Sequence, residues 1–314
     1  MPFKKVAPTY FFLFAILIFL FNSKIVAAPF TQGNVFVSTG VGTVLEYTPT
    51  GTLVQTLNVG TSFITGSTFD SSGNFYVTRF SNNQVQKFDN LGVNQGTFGG
   101  GYSTPESVVI NASGDVFVGS VGGGIRQFDS TGILQSSFIT GTRIDFMDLA
   151  ADQKTMYYTQ EGGEVHRVDL STNTILSDFS TAVENAFALR ILANGSVLVA
   201  DGSDIELLDS SGNQIMTYDS AGHNSWFGLN LDPDGTTFWS ADFSGHVSHF
   251  DLATGAVIDS WDVAGVNGTW GLAIYGEITQ GGGGGGGTVP EPITLALFGI
   301  GLLGMSIMRR FRSI

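Results

Sequence analysis

No cysteine occurs among the 314 residues. The chain therefore has no disulfide staple, no thiolate nucleophile and no thiolate metal site, and its stability must come from a packed core of the kind a large regular fold supplies. Basic residues are scarce as well, with 13 Lys and Arg against 27 Asp and Glu. Six of those bases, Lys4, Lys5, Lys24, Arg309, Arg310 and Arg312, stand near the two ends, whereas Glu291 is the one acid outside residues 29 to 280. The middle thus holds 26 acids and seven bases, a net charge of −19. Binding nucleic acid needs a basic face that displaces counterions, so no nucleic-acid partner is expected. A surface this acidic stays soluble, repels other anionic surfaces and attracts divalent cations.

Recognisable catalytic groupings are also missing. The four histidines form no cluster. His246 and His249 are three apart on a strand, which places them on opposite faces and rules out a shared metal. His166 takes an outward polar position, and His223, in "DSAGHNSWFG", reads as a solvated side chain on a loop. There is no Gly-x-Ser-x-Gly elbow, since "VGSVGGG" at 118 to 124 fails at its first position. A phosphate-cradling loop needs a helix after it, and none is readable. Asp232-Pro-Asp-Gly reads as turn chemistry rather than a calcium loop, because the later ligands are lacking. The sequons at Asn111, Asn194 and Asn267 fall on turns. No catalytic residue, metal site or cofactor is assigned.

What the sequence has is a repeat. Turns leading into β-rich runs recur at Gly33, Gly73, Gly114, Lys154, Gly195 and Gly235, at offsets of 40, 41, 40, 41 and 40 residues. In the second unit four runs can be read, 65 to 70, 75 to 79, 84 to 89 and 94 to 98, each of ordinary strand length and each separated by a hairpin-sized gap. The third run alternates apolar and polar residues and ends in Asp, as in Val85-Gln-Lys-Phe-Asp and Ile125-Arg-Gln-Phe-Asp. That Asp can bond its own backbone and close the next turn. Four antiparallel strands per period of about 40 residues is the arithmetic of a β-propeller blade. The first unit lacks its innermost strand, and Trp270-Gly-Leu-Ala-Ile-Tyr-Gly, which matches Phe227-Gly-Leu-Asn-Leu-Asp-Pro, supplies it. The expected fold is all-β, a six-bladed propeller over residues 29 to 280 closed by a C-terminal strand that completes the first blade. An open β-solenoid is the alternative, and it leaves the split first unit unexplained.

The stretch "TPESVVINASGDVFVGSVGGGIRQFDSTG", residues 104 to 132, resembles NHL-repeat propellers through Pro105, Gly114-Asp115 and Phe128-Asp129, as does Val199-Ala-Asp201. In strand plan the chain also resembles gluconolactonase-like propellers, which implies a divalent metal held by a Glu, an Asn and an Asp from inner strands. The equivalent inner positions here are Thr65, Glu106, Phe146, Phe187, Phe227 and Trp270. Only Glu106 could serve, so that metal site is expected to be missing, with Asp145, Asn185 and Asn224 left as possible ligands one residue out of register. Glu106, Phe146, Phe187, Phe227 and Trp270 are the candidate channel-lining ligand contacts. The rings can stack on sugars or other flat apolar faces, or simply pack between blades.

The ends give an address. Lys4 and Lys5, the apolar run from Tyr10 to Phe21 and then Ala27 and Ala28 have the layout of a signal peptide over residues 1 to 28, with an uncleaved anchor as the alternative. A glycine-rich linker at 281 to 288 leads to Pro290-Glu291-Pro292, an apolar stretch at 293 to 308 expected to form a transmembrane helix, and Arg309 and Arg310. Residues 289 to 314 resemble the PEP-CTERM sorting signal, which implies a bacterial protein processed at Pro-Glu-Pro by an exosortase-type enzyme after transient anchoring through that helix. It further implies residence at the cell surface or in an exopolysaccharide matrix; an ordinary anchor is the alternative. The functional expectation is a non-enzymatic exported propeller that binds a polysaccharide or a surface protein. The rivals are an exported enzyme, a metal-dependent lactonase-like hydrolase or a relative of streptogramin lyases, and a spacer without a ligand.

Overall fold

Each sequence period folds as one sheet, and the chain makes six four-stranded antiparallel sheets arranged as a propeller. The computed structural model describes residues 28–282, residue 267 excepted. The expected signal peptide, most of the glycine linker, Pro290-Glu291-Pro292, the helix at 293 to 308, Arg309 and Arg310 lie outside the described residues. No helix among the described residues is long and apolar enough to cross a membrane.

In blade 2 the strands are Ile64–Phe69, Phe75–Arg79, Gln84–Phe88 and Asn94–Phe98. They match the four sequence runs to within a residue. Asp70 and Asp89 drop out of their strands because their carboxylates cap the next turn. Asp70 Oδ1 accepts from the Ser72 and Asn74 amides, and Asp89 Oδ1 from Leu91 and Val93, all at 2.9–3.0 Å. The same closure recurs at Asp129 and Asp209, so the repeated Asp is a hairpin-forming device.

Blade 1 is built from both ends of the described chain. Thr269–Ile274 lies innermost and pairs antiparallel with Val35–Thr39, setting Leu272 opposite Val37 and Gly271 opposite Ser38. Thr43–Tyr47 and Leu53–Asn58 complete the sheet. Successive inner strands contact one another all the way round, from Thr269–Ile274 through Ile64–Phe69 and the other blades to Trp226–Leu231 and back. The ring is therefore closed, as an open solenoid is not.

Burial follows position in the blade. Inner strands such as Ile64–Phe69, Pro105–Ile110 and Trp226–Leu231 are buried along their whole length, whereas the outermost strand Val257–Asp262 is largely exposed. The core lies between neighbouring blades and is rich in aromatic side chains. Phe36 of blade 1, for example, packs edge-on against Phe69 of blade 2 at 5.0 Å between ring centroids.

The two faces of the ring differ. At the face where inner strands end, residues 275 to 282 run beneath the ring. Glu277 accepts hydrogen bonds from Thr68 Oγ1 at 2.8 Å and from Asn230 Nδ2, the Gln280 carbonyl accepts from Gln153 Nε2 at 3.2 Å, and Gly282 bridges to Asn111. The other described end is on this face too, where the Phe30 amide donates to the Asn90 carbonyl at 3.0 Å. The opposite face, where inner strands begin, is the channel mouth.

Candidate binding face at the channel mouth

Inner strands enter this face through β-bulges. In blade 3 the pairing passes from Pro105 opposite Ser120 to Ser107 opposite Gly119, skipping Glu106. Blade 6 skips Phe227 in the same way, and blade 1 skips Trp270. A bulge adds one residue to one strand and re-aims its side chain. Glu106, Phe227 and Trp270 thus share a backbone cause.

Four of the five candidate residues come together. Phe227 is central, with ring centroids 5.0 Å from Phe146, 5.0 Å from Phe187 and 5.8 Å from Trp270. Phe243 joins them, 4.6 Å from Phe227 and 4.5 Å from Trp270, and Phe63 stacks edge-on against Trp270 at 4.2 Å. Phe146, Phe187 and Phe227 are buried and plug the mouth. Beneath them the enclosed channel space is about 20 Å³, bounded by Thr65, Ser107 and Arg190 among others, which is room for about one water. Trp270, Phe243, Phe63 and Phe80 are half-exposed and form an arc of aromatic surface on top. Phe243, Phe63 and Phe80 were not candidates from the sequence. They sit on blade-specific connections outside the repeated strand pattern, where the forty-residue period gives no signal.

Beside the arc is a pocket of about 300 Å³ lined by Asn185, Phe187, Gly202, Ser203, Asn224, Ser225 and Phe243. Its walls alternate ring faces with side-chain amides and hydroxyls, a surface suited to a ligand with both apolar faces and hydroxyl groups.

Glu106 keeps different company. Its carboxylate comes within 4.8 Å of those of Asp145 and Glu161. Arg143 lies against this trio, its Nε donating to both Asp145 oxygens at 2.8 and 2.9 Å and its Nη2 to Glu161. Burial pushes Glu106 well above the usual carboxylate range, and the negative charge of Asp145 pushes it the same way. Burial raises Asp145 too, while Arg143 opposes the rise. The interaction between the two carboxyl groups raises Glu106 further and lowers Asp145.

A channel metal held by Glu, Asn and Asp does not fit this arrangement. The guanidinium of Arg143 already supplies the positive charge next to Asp145 and Glu161, and Asn185 and Asn224 line the pocket, whose walls include neither Glu106 nor Asp145.

The histidines partly depart from expectation. His246 and His249 do face different partners, with His246 Nδ1 2.7 Å from Asp262 and His249 Nε2 2.7 Å from Asp232. His223, expected to be a solvated loop residue, instead stacks on His246 with centroids 3.4 Å apart and pairs through Nδ1 with Asp242 at 3.2 Å. The bulge and hairpin of blade 6 bring these residues together across 19 positions or more, which strand periodicity alone does not reveal. Asp232 caps its turn and also accepts from Trp239 Nε1 at 3.1 Å, in keeping with the turn reading of Asp232-Pro-Asp-Gly.

Comparison with known proteins bears on the tail and the fold. The chain carries a PEP-CTERM protein-sorting motif over residues 288–312. That signal implies an exported protein, sorted through its C-terminus and recognised by an exosortase-type processing enzyme. No curated protein matches the sequence. Among solved structures the chain resembles one titled as the crystal structure of a nidogen/laminin complex, with a TM-score of 0.65 at 15% identity over 76% of this chain and 97% of that one. At that identity the likeness speaks for the propeller alone, and a fold shared with 1706 solved chains favours no single activity.

Proposed function

We propose that the protein is a non-enzymatic, exported propeller that binds an extracellular polysaccharide at its channel mouth, within the cell-surface or exopolysaccharide matrix. The observation that carries this reading is the half-exposed arc of Trp270, Phe243, Phe63 and Phe80 beside a pocket edged by Asn185 and Asn224. Sugar rings present C–H faces that stack on aromatic side chains, and their hydroxyls bond to amides. The strong negative charge favours an uncharged polymer over an anionic one. Placement agrees with this role, because Gly282, the last described residue, bridges to Asn111 on the face opposite the mouth.

Glycan arrays and pull-downs with the full chain in detergent test the reading. Capture of an uncharged polymer by the wild type and its loss in Phe243→Ala support it. Capture of only a protein, or of nothing, overturns it. Sorting is tested separately by replacing Pro290, Glu291 and Pro292 with Ala. The expected result is a membrane-bound fraction that grows at the expense of the released one, and unchanged fractions would reject processing at that site.

A further inference from the structure

The hairpin that gives the pocket its Gly202 and Ser203 also carries a second carboxylate group, one with no counterpart to Arg143. In blade 5 the strands Val197–Ala200 and Ile205–Leu208 are joined by the hairpin Asp201-Gly-Ser-Asp204. Carboxylate oxygens of Asp201, Asp204 and Glu206 lie within 4.8 Å of one another. Among the described residues, no ion pair is formed by any of the three. Asp201 is partly satisfied, by the Glu184 amide at 3.1 Å and Ser203 Oγ at 3.2 Å. Glu206 is only 5% exposed, yet its Oε2 has no hydrogen-bond partner, and Asp204 Oδ1 is likewise buried and unpaired. A buried carboxylate oxygen without a partner is costly, and here three such groups also repel one another.

We propose that Asp201, Asp204 and Glu206 form a site for a hard divalent cation, with Ca²⁺ the best fit. Calcium binds oxygen ligands at about 2.3–2.6 Å, so two of its ligands lie at most roughly 5 Å apart, which the trio satisfies. The absence of nitrogen or sulfur donors from the trio sets it against zinc and copper. A cation there supplies the partner that Glu206 Oε2 lacks and relieves the crowding of Glu206 against Asp201. The electrostatics agree, since burial first, and the charges of Asp201 and Asp204 next, push the Glu206 carboxyl up to about 7. Gly202 and Ser203 from this hairpin line the pocket, and the Gly202 carbonyl accepts from the Trp226 amide at 2.8 Å. The ion would therefore stiffen the pocket wall and tie it to blade 6, whether or not the pocket takes a sugar.

The test is calorimetric titration of the EDTA-treated full chain in detergent with CaCl₂, alongside thermal unfolding with and without the ion. Extracellular calcium modules bind at about 10⁻⁴–10⁻³ M, and a wild-type affinity at least that tight is expected, with a rise in Tm. Glu206→Gln should weaken binding about tenfold or more and abolish the Tm rise, while unfolding in EDTA no lower than the wild type. Asp204→Asn should behave alike, and Glu106→Gln should bind as the wild type does. No calcium binding by the wild type, or binding that survives in both Glu206→Gln and Asp204→Asn, overturns the proposal.

Discussion

Arg143 is the residue that decides the character of the acidic trio at the mouth. It stands 41% exposed while its partner Asp145 is fully buried, so its removal leaves a buried carboxylate uncompensated. Arg143→Ala should destabilise the protein by about 1–3 kcal/mol at pH 7, as read from urea unfolding, below the cost of breaking a fully buried pair because solvent screens the guanidinium. The loss should shrink as the pH falls and Asp145 takes up a proton. Glu106 itself was legible in the sequence, as the one acid at an inner position otherwise occupied by Thr and rings. Its partners were less so. Asp145 is its neighbour in register only once the blades are packed, and Glu161 reaches the group from a hairpin 16 residues further on.

Among the structural elements, the closing strand Thr269–Ile274 carries the most consequence, because it joins the two ends of the described chain. Gly271 sits just after the bulged Trp270, pairs with Ser38, and presses against the backbone of the next inner strand. A Cβ there would overlap the Thr65 carbonyl. Gly66 makes a close approach of the same kind in blade 2, against the Glu106 carbonyl, and Gly228 in blade 6 a looser one against Gly271. Gly271→Ala should therefore cost about 1–3 kcal/mol or more in thermal or urea unfolding, although it adds only one methyl group, since backbone must shift to admit it. Strand order, blade number and closure could all be read from the sequence, because each period repeats the same turn chemistry and the same alternation. The bulges could not, for a bulge adds a residue without changing composition. They are nonetheless what turns Glu106, Phe227 and Trp270 towards the mouth.

Taken as a whole molecule, the protein should be most stable in mild acid. Glu106, Asp145, Asp148, Glu206 and Glu277 all hold protons more tightly when folded, chiefly through burial. Their contribution to stability therefore falls as pH rises above their ordinary values of 3.8 and 4.5, for Glu206 up to about 7. The turn carboxylates of Asp129, Asp169, Asp209 and Asp251 act in the opposite sense. Hydrogen bonds from side-chain hydroxyls and backbone amides hold them below the usual range, so the stability they contribute is lost as pH drops below 3.8. Thermal midpoints measured in EDTA from pH 3 to 8 should pass through a maximum at about pH 4–5 and decline towards neutrality. A flat or rising profile above pH 5 would show that the buried acids do not hold their protons more tightly in the folded protein.

The proposed polysaccharide site at the channel mouth can be followed by titrating the full chain with uncharged extracellular polysaccharide while recording tryptophan fluorescence. Trp226 and Trp239 are buried, Trp261 lies on the outermost strand of blade 6 against Trp239 and Tyr47, and Trp270 is the half-exposed indole at the mouth. The expected result is a saturable change in emission that Trp270→Phe largely removes, with binding at least about tenfold weaker in Trp270→Ala, a loss of some 1.4 kcal/mol or more. An unchanged emission with no polymer bound, or equal binding by Trp270→Ala, would contradict it.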